Sequence, residues 1–410
     1  MVYLPNPTVT INGRDYTDNS VGQITISRGR DTVYAQPNAG AATIELIDTG
    51  ALTRFSVGVP IQISMLFPAI EWDLLADTWA GLGDTWELVF GPLVPGFIRP
   101  VFTGTVSDWD ADAVAAQNEP IMRYRVQAVG PLATLNRRNV LFDGRIAEDD
   151  GERVEAVLTA ALGTAVVDPS IIDDGVFALA GLDADDSGYS ALELVRDAAA
   201  SAQGVVFETE DGRIGYQNAD ARFNETEFLQ IPFGEVQVGG LSVSSALGDV
   251  TNVVTVEFDG GAVTVDDPVS IERFGEQDET ISTSLESEAA ALGFASAFLQ
   301  RHSTPSVSLG LLAFNLRNMD RDLRLEVLES NVNRGIVLSD VPARVGFRNF
   351  EGFIEGVEIR MNRFEAELGL LVSDSVLSTG DMRWLVVPPG VTWDTVEPAG
   401  LVWNDARVVG

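Results

Sequence analysis

Short runs that alternate apolar and polar residues constrain this chain most. Ile24-Thr-Ile-Ser27, Ile61-Gln-Ile-Ser64 and Arg123-Tyr-Arg-Val-Gln-Ala128 all repeat with period two, with Gly, Asn and Asp at the breaks. A period of two buries one face of a strand and leaves the other in water. Residues 1–137 are therefore expected to be a β-domain of half-buried antiparallel strands that close into a barrel or sandwich. Its opening strands are Val9-Thr-Ile-Asn-Gly-Arg-Asp-Tyr-Thr17, Gly22-Gln-Ile-Thr-Ile-Ser-Arg-Gly-Arg30 and Ala41-Ala-Thr-Ile-Glu-Leu-Ile-Asp48. A second set, Val236-Gln-Val-Gly-Gly-Leu-Ser-Val243 and Val250-Thr-Asn-Val-Val-Thr-Val-Glu-Phe258, reads as the opening of a second β-domain.

Helical periodicity appears between the two. Over Asp150–Gly163, Val154, Val157, Leu158, Ala161 and Leu162 share one face, with Asp150 placed to cap the start and Gly163 the end. A second helix is expected from Ser190, where Glu193 completes a capping box, to Gly204, with Leu192, Val195, Ala198, Ala199 and Ala202 inward. Val205–Thr209, the turn Asp211-Gly212 and Arg213–Tyr216 read as a hairpin. These signals place an α+β domain over 138–232. The second β-domain then covers 233–375, interrupted over 261–305 by a loop and a helix of about Ser284–His302, and 376–410 forms an extended C-terminal arm. The fold class is mainly β with an α+β insert.

Composition excludes several chemistries. With no cysteine there are neither disulfides nor thiolate metal sites, and one histidine, His302, allows no multi-histidine metal site. No phosphate-cradling glycine loop is present. His302 stands beside Arg301 at a helix end, a place suited to a cation facing the carbonyl dipole. The 61 acidic residues against 26 basic ones give a net charge of −35, which opposes binding to a nucleic-acid backbone. Every basic residue is arginine, as a GC-rich genome would favour. Such acidity suits a conduit that lets DNA pass without sticking, a chain living in high salt, or simple solubility through self-repulsion. Met1-Val-Tyr-Leu-Pro5 has neither a basic flank nor an apolar run, so synthesis and folding in the cytoplasm are expected. The apolar stretch Leu88–Phe102 is broken by Pro92, Pro95 and Pro100, which argues against a membrane span.

Two local patterns are candidate sites. Trp72, Trp79 and Trp86 recur every seven residues within 68–100, each followed three positions on by Leu75, Leu82 or Val89, and Trp393 and Trp403 echo the pattern. This reads as an insertion between two barrel strands whose rings seek a partner surface, against the plainer account that they fill a local core. Asp183, Asp185 and Ser187 before Gly188 resemble the start of a calcium loop. The position of the bidentate glutamate is held by Leu194, with Glu193 one residue early, which makes it a weak calcium candidate. No cofactor and no catalytic residue is expected.

The order of these parts resembles the tail hub (baseplate hub, or minor tail protein) of long-tailed bacteriophages. Three stretches carry the resemblance: Ile11-Asn-Gly-Arg-Asp-Tyr16 with Ile26-Ser-Arg-Gly-Arg30; Leu192–Tyr216 followed by Val250-Thr-Asn-Val-Val-Thr-Val256; and Ser270-Ile-Glu-Arg-Phe-Gly275 leading into an alanine-rich helix. It covers about 1–375. The resemblance implies two related β-barrels per chain and a homotrimer that makes a pseudo-sixfold ring on the hexameric tail tube. The implied partners are distal tail or tail tube proteins, the tape-measure protein and other tail-tip proteins, with genomic DNA only in passage. The implied location is the virion tail tip, assembled in the host cytoplasm, and the implied role is structural and not enzymatic. A carbohydrate-binding or carbohydrate-cleaving adsorption protein, with tryptophan platforms and paired carboxylates, is the competing expectation, and a distal tail protein is a third.

Overall fold

The computed structural model describes residues 5–17, 20–30, 35–48, 56–67, 97–114, 121–163, 167–184, 188–222, 228–237, 239–241, 243–244, 250–305, 308–342 and 349–374. The chain is mainly β. Its centre is a 13-stranded sheet in which the two β regions are hydrogen-bonded to one another. From one edge the order is Val243–Ser244, Ser308–Asn315, Ala366–Asp374, Phe350–Met361, Ser20–Gly29, Asn38–Asp48, Ile121–Val129, Phe97–Val114, Pro60–Phe67, Thr8–Ile11 and Arg14–Asp15. Off this path, Gly335–Ser339 joins Phe350–Met361 and pairs in parallel with Leu229–Pro232.

The seam between the two regions is one antiparallel ladder, from Gly356↔Gly29 to Met361↔Ile24. The period-two pattern sets its register, because a slip by one residue would turn Ile24, Ile26 and Ile359 from core to solvent. Both regions share a single apolar core, with Ile24, Ile44, Ile61, Ile63 and Phe102 from the first and Leu312, Phe314, Ile354 and Leu370 from the second. The expected insertion 68–100 lies between strands already paired at Phe67↔Phe97, and 97–100 are part of the second of these strands. The core of the insertion falls outside the described residues.

A second core belongs to the helical part. Helix Asp150–Leu162 buries Val154, Val157, Leu158 and Ala161, and helix Ala191–Ser201 buries Leu192, Val195, Ala198 and Ala199. Ser190 caps the latter by accepting from Glu193 N at 3.4 Å. The hairpin forms as expected, with Val205–Glu208 paired to Ile214–Gln217 and Gly212 at φ +84°.

Four local expectations change. Asp150 is the first residue of its helix and not its cap; its carboxylate turns inward, accepts from Val176 N and Phe177 N at 2.7 Å, and takes the Tyr216 hydroxyl. Of the expected strand Val236–Val243, among the described residues only Val243 falls in a strand, Val243–Ser244, after a 3₁₀ turn at Phe233–Glu235, although Gln237 N donates to Ala313 O and Ala313 N to Gly240 O at 2.8 and 3.1 Å. Val250–Phe258 does contain a strand, Val253–Phe258, but it leaves the large sheet. It centres a three-stranded sheet with Gly261–Asp266 and Asp278–Ser282, whose Val254 and Val256 pack in the helical core. Alternation shows that a residue faces apolar material, not which core supplies it. Pro268–Phe274, read as part of a loop, is a helix capped by Asp267, which accepts from Val269 N and Ser270 N. Helix Glu288–His302 follows, as expected, capped by Ser287.

Candidate functional site

Most of the residues singled out from sequence are not among the described residues: Trp72, Trp79, Trp86, Trp393 and Trp403 lie outside them, as do Asp185 and Ser187. Asp183 is described, and its carbonyl oxygen accepts from the Tyr189 hydroxyl at 2.9 Å. Among the described residues no group of three or more His, Asp or Glu could hold a metal ion. His302 does end its helix, but buried against Phe298, with ring centroids 4.2 Å apart. Burial, with Arg301 beside it, pushes its pKa down to about 4, so it is neutral and not the cation expected there.

The structure instead brings together two buried ionic joints, neither visible as a motif. The first surrounds Glu355 in strand Phe350–Met361. The pairing of that strand with Ala366–Asp374 jumps between Ile354 and Gly356, so Glu355 is the extra residue of a β-bulge. The bulge aims its carboxylate inward, where only 2% of the side chain is exposed. Arg222 meets it at two points, Nη1 to Oε1 at 2.7 Å and Nη2 to Oε2 at 2.9 Å, and Arg30 Nε reaches Oε2 at 2.6 Å. The Ser373 hydroxyl also donates to Oε1, and Arg222 reaches the Asn333 side-chain oxygen. The Arg222 guanidinium stands 5.0 Å from the centroid of the Phe353 ring. Burial alone would raise the Glu355 pKa, but the two guanidinium charges and the hydrogen bonds outweigh it and hold the group at about 2. Gly29 makes the close approach possible. Its φ is +95°, and a Cβ there would sit 2.3 Å from the Glu355 carbonyl oxygen.

The second joint is Glu208, at the end of the hairpin strand Val205–Glu208. One oxygen accepts from Gly40 N at 2.7 Å and the other from Leu132 N at 2.6 Å, so the carboxylate ties the hairpin to the large sheet and to the short helix Leu132–Leu135. Gly40 and Gly130 leave the room, since a Cβ at either would fall within 2.6 Å of its Oε2. Burial pushes its pKa up to about 7, against the pull of the two amides and Arg28. Arg28 in turn reaches Glu210 at 3.3 Å, and Asn331 Nδ2 donates to the same Glu210 oxygen at 2.6 Å.

With its carboxylate buried and fully engaged, Glu355 offers a substrate no access. What the joints do is mechanical: they lock the helical part onto the sheet at the seam between its two halves. The sequence held one weak trace of the first: glycine inside a strand can mark a bulge, but Glu351-Gly352 and Glu355-Gly356 look alike and only the second is one.

A large sheet joined to a smaller α/β part is a fold shared with solved tail proteins. The 43 kDa tail protein of prophage MuSo2 from Shewanella oneidensis is similar with a TM-score of 0.59 at 12% identity, over 91% of this chain and 99% of that one. The tail protein from Neisseria meningitidis MC58 is similar with a TM-score of 0.60 at 10% identity, over 92% and 99%. The prophage tail protein gp18 from Listeria monocytogenes EGD-e follows at 0.51 and 11%, over 91% and 97%. At these identities the shared property is the fold. No protein-family model and no curated protein sequence matches the chain.

Proposed function

We propose that this chain is the structural hub of a phage tail tip. The observation that carries the reading is similarity of fold along nearly the whole of both chains to known tail proteins. In this reading three copies form a ring, each bringing two β regions, so that a threefold assembly presents six-fold-like edges to a hexameric tail tube or distal tail ring. The joined sheet supports it: a seam of six backbone pairs with a buried ionic lock holds two β regions at one fixed angle, as a ring subunit requires. The ring would surround the end of the tape-measure protein and form part of the channel for DNA. A net charge of −35 suits a wall past which phosphates slide. The tryptophans at 72, 79, 86, 393 and 403 are proposed as contacts for neighbouring tip proteins, and the work of the chain is geometric, without catalysis.

The test is antibody-labelled electron microscopy of particles from a lysate that expresses the chain, followed by reconstruction. Label confined to the tail tip and a threefold ring is the expected result. Particles without label would overturn the reading.

A further inference from the structure

Copies of a chain carrying a charge of −35 repel one another, so an assembly of identical copies needs basic groups placed where they meet. Several arginines at the surface are already paired with acids: Arg99 with Glu329, Arg123 with Asp112, Arg125 with Glu45, Arg213 with Asp168, and Arg360 with Glu358, while Arg137, Arg138 and Arg273, also exposed, belong to other parts of the chain. Arg317 and Arg363 are exposed, and among the described residues neither has an acidic partner. Both lie at one corner of the large sheet. The turn after Ser308–Asn315 holds Arg317, the hairpin tip between Phe350–Met361 and Ala366–Asp374 holds Arg363, and Leu316 N donates to Ala366 O at 3.0 Å between the two turns. Phe364, 64% exposed, stands beside Arg363 on that tip.

The corner is built to hold its shape. Asn362 Oδ1 accepts from Phe364 N at 2.8 Å and from Glu365 N at 3.1 Å, and its Nδ2 ties down the Glu365 carboxylate at 3.2 Å. Asn315 Oδ1 accepts from Arg317 N at 3.0 Å in the same way. Turns fixed in this way need no backbone ordering on binding, and arginine and aromatic side chains are enriched at interfaces. The complementary chemistry is acidic and partly apolar, which the surface of the same chain offers: Glu272, Glu276, Asp278 and Glu279 are exposed near Val269, itself 76% exposed, and outnumber the one arginine among them, Arg273.

We propose that the corner formed by Arg317, Arg363 and Phe364 is the surface by which one copy docks on the acidic surface of a second copy of this chain. The inference rests on the ring reading above. It adds which residues overcome the repulsion between copies.

The experiment is sedimentation equilibrium of the purified full chain at one fixed ionic strength, comparing the wild type with Arg363→Glu, Phe364→Ser and Arg137→Glu. Arg137 is also exposed and, among the described residues, without an acidic partner, so Arg137→Glu changes the net charge equally at another place. Self-association of the wild type, weakened about tenfold or more by Arg363→Glu and by Phe364→Ser but not by Arg137→Glu, is the expected result. A wild type that stays monomeric, or a dissociation constant that Arg363→Glu shifts no more than Arg137→Glu does, would overturn the proposal. Tail-tip label on particles is read separately: label with unaffected association sinks this contact alone, and missing label sinks the tail reading.

Discussion

Glu355 and Arg222 are 133 positions apart in the chain, yet they meet in a two-point ion pair at 2.7 and 2.9 Å, buried under the seam of the large sheet. Arg222 follows the hairpin of the helical part, Glu355 belongs to the C-terminal β region, and Arg30, their third partner, comes from the N-terminal one. One carboxylate therefore bonds all three parts of the chain.

Replacing Glu355 with Gln leaves two buried guanidinium groups without a counter-charge. Breaking a buried ion pair from one side costs about 3–5 kcal/mol. Urea denaturation of Glu355→Gln against the wild type at pH 7 is expected to show a loss of that size; a loss of a few tenths would mean that the network adds little.

The same group sets an acid limit. Its folded-state pKa of about 2 lies below the ordinary glutamate value of 4.5. Its stabilisation is thus fully present above pH 4.5 and is lost as pH falls toward 2. Thermal unfolding followed from pH 5 to pH 2 is expected to fall more steeply for the wild type than for Glu355→Gln.

Glu208 works in the opposite sense. With a folded-state pKa of about 7 against 4.5, the folded state holds the extra proton, so its contribution to stability declines as pH rises from 4.5 to about 7. The difference in melting temperature between Glu208→Gln and the wild type should move in favour of the variant from pH 5 to pH 8. A difference that does not change with pH would show that Glu208 titrates normally.

His302 is the only histidine, so its ring protons need no assignment. Proton NMR is expected to show titration near pH 4 and not near 6.5, because the buried ring resists charging beside Arg301. As pH falls from 6.5 toward 4, the unfolded chain takes up the proton first, and stability falls with it.

Gly29→Ala must place a methyl group against the Glu355 carbonyl oxygen and hold φ at +95°. Backbone strain of this kind costs about 1–3 kcal/mol before the clash is counted. Equilibrium unfolding is expected to show at least that loss; Gly58, also at positive φ but in open space, is the control position and should lose less on the same change.

Local rules reached far in this chain. The periods at Ile24–Ser27 and Val154–Leu162, the Ser190 cap and the Asp211-Gly212 turn each act within a few residues, and each formed as expected. Where local rules fell short, two outcomes shared one local signature. Val253–Phe258 alternates as a large-sheet strand would, but Val254 and Val256 meet the apolar face of helix Glu288–His302 and pack there. Asp150 has the sequence position of a cap, but the buried amides of Val176 and Phe177 and the Tyr216 hydroxyl needed an acceptor more than the solvated helix end did.

Secondary structure, the acidic surface and the order of parts were legible in the residues because they depend on neighbours in sequence and on summed charge. The joint at Glu355, the joint at Glu208 and the corner at Phe364 were not. Each needs partners more than a turn or a hairpin away, and only the tertiary structure, by removing those groups from water or leaving them in it, decided which of many similar glutamates and arginines would pair.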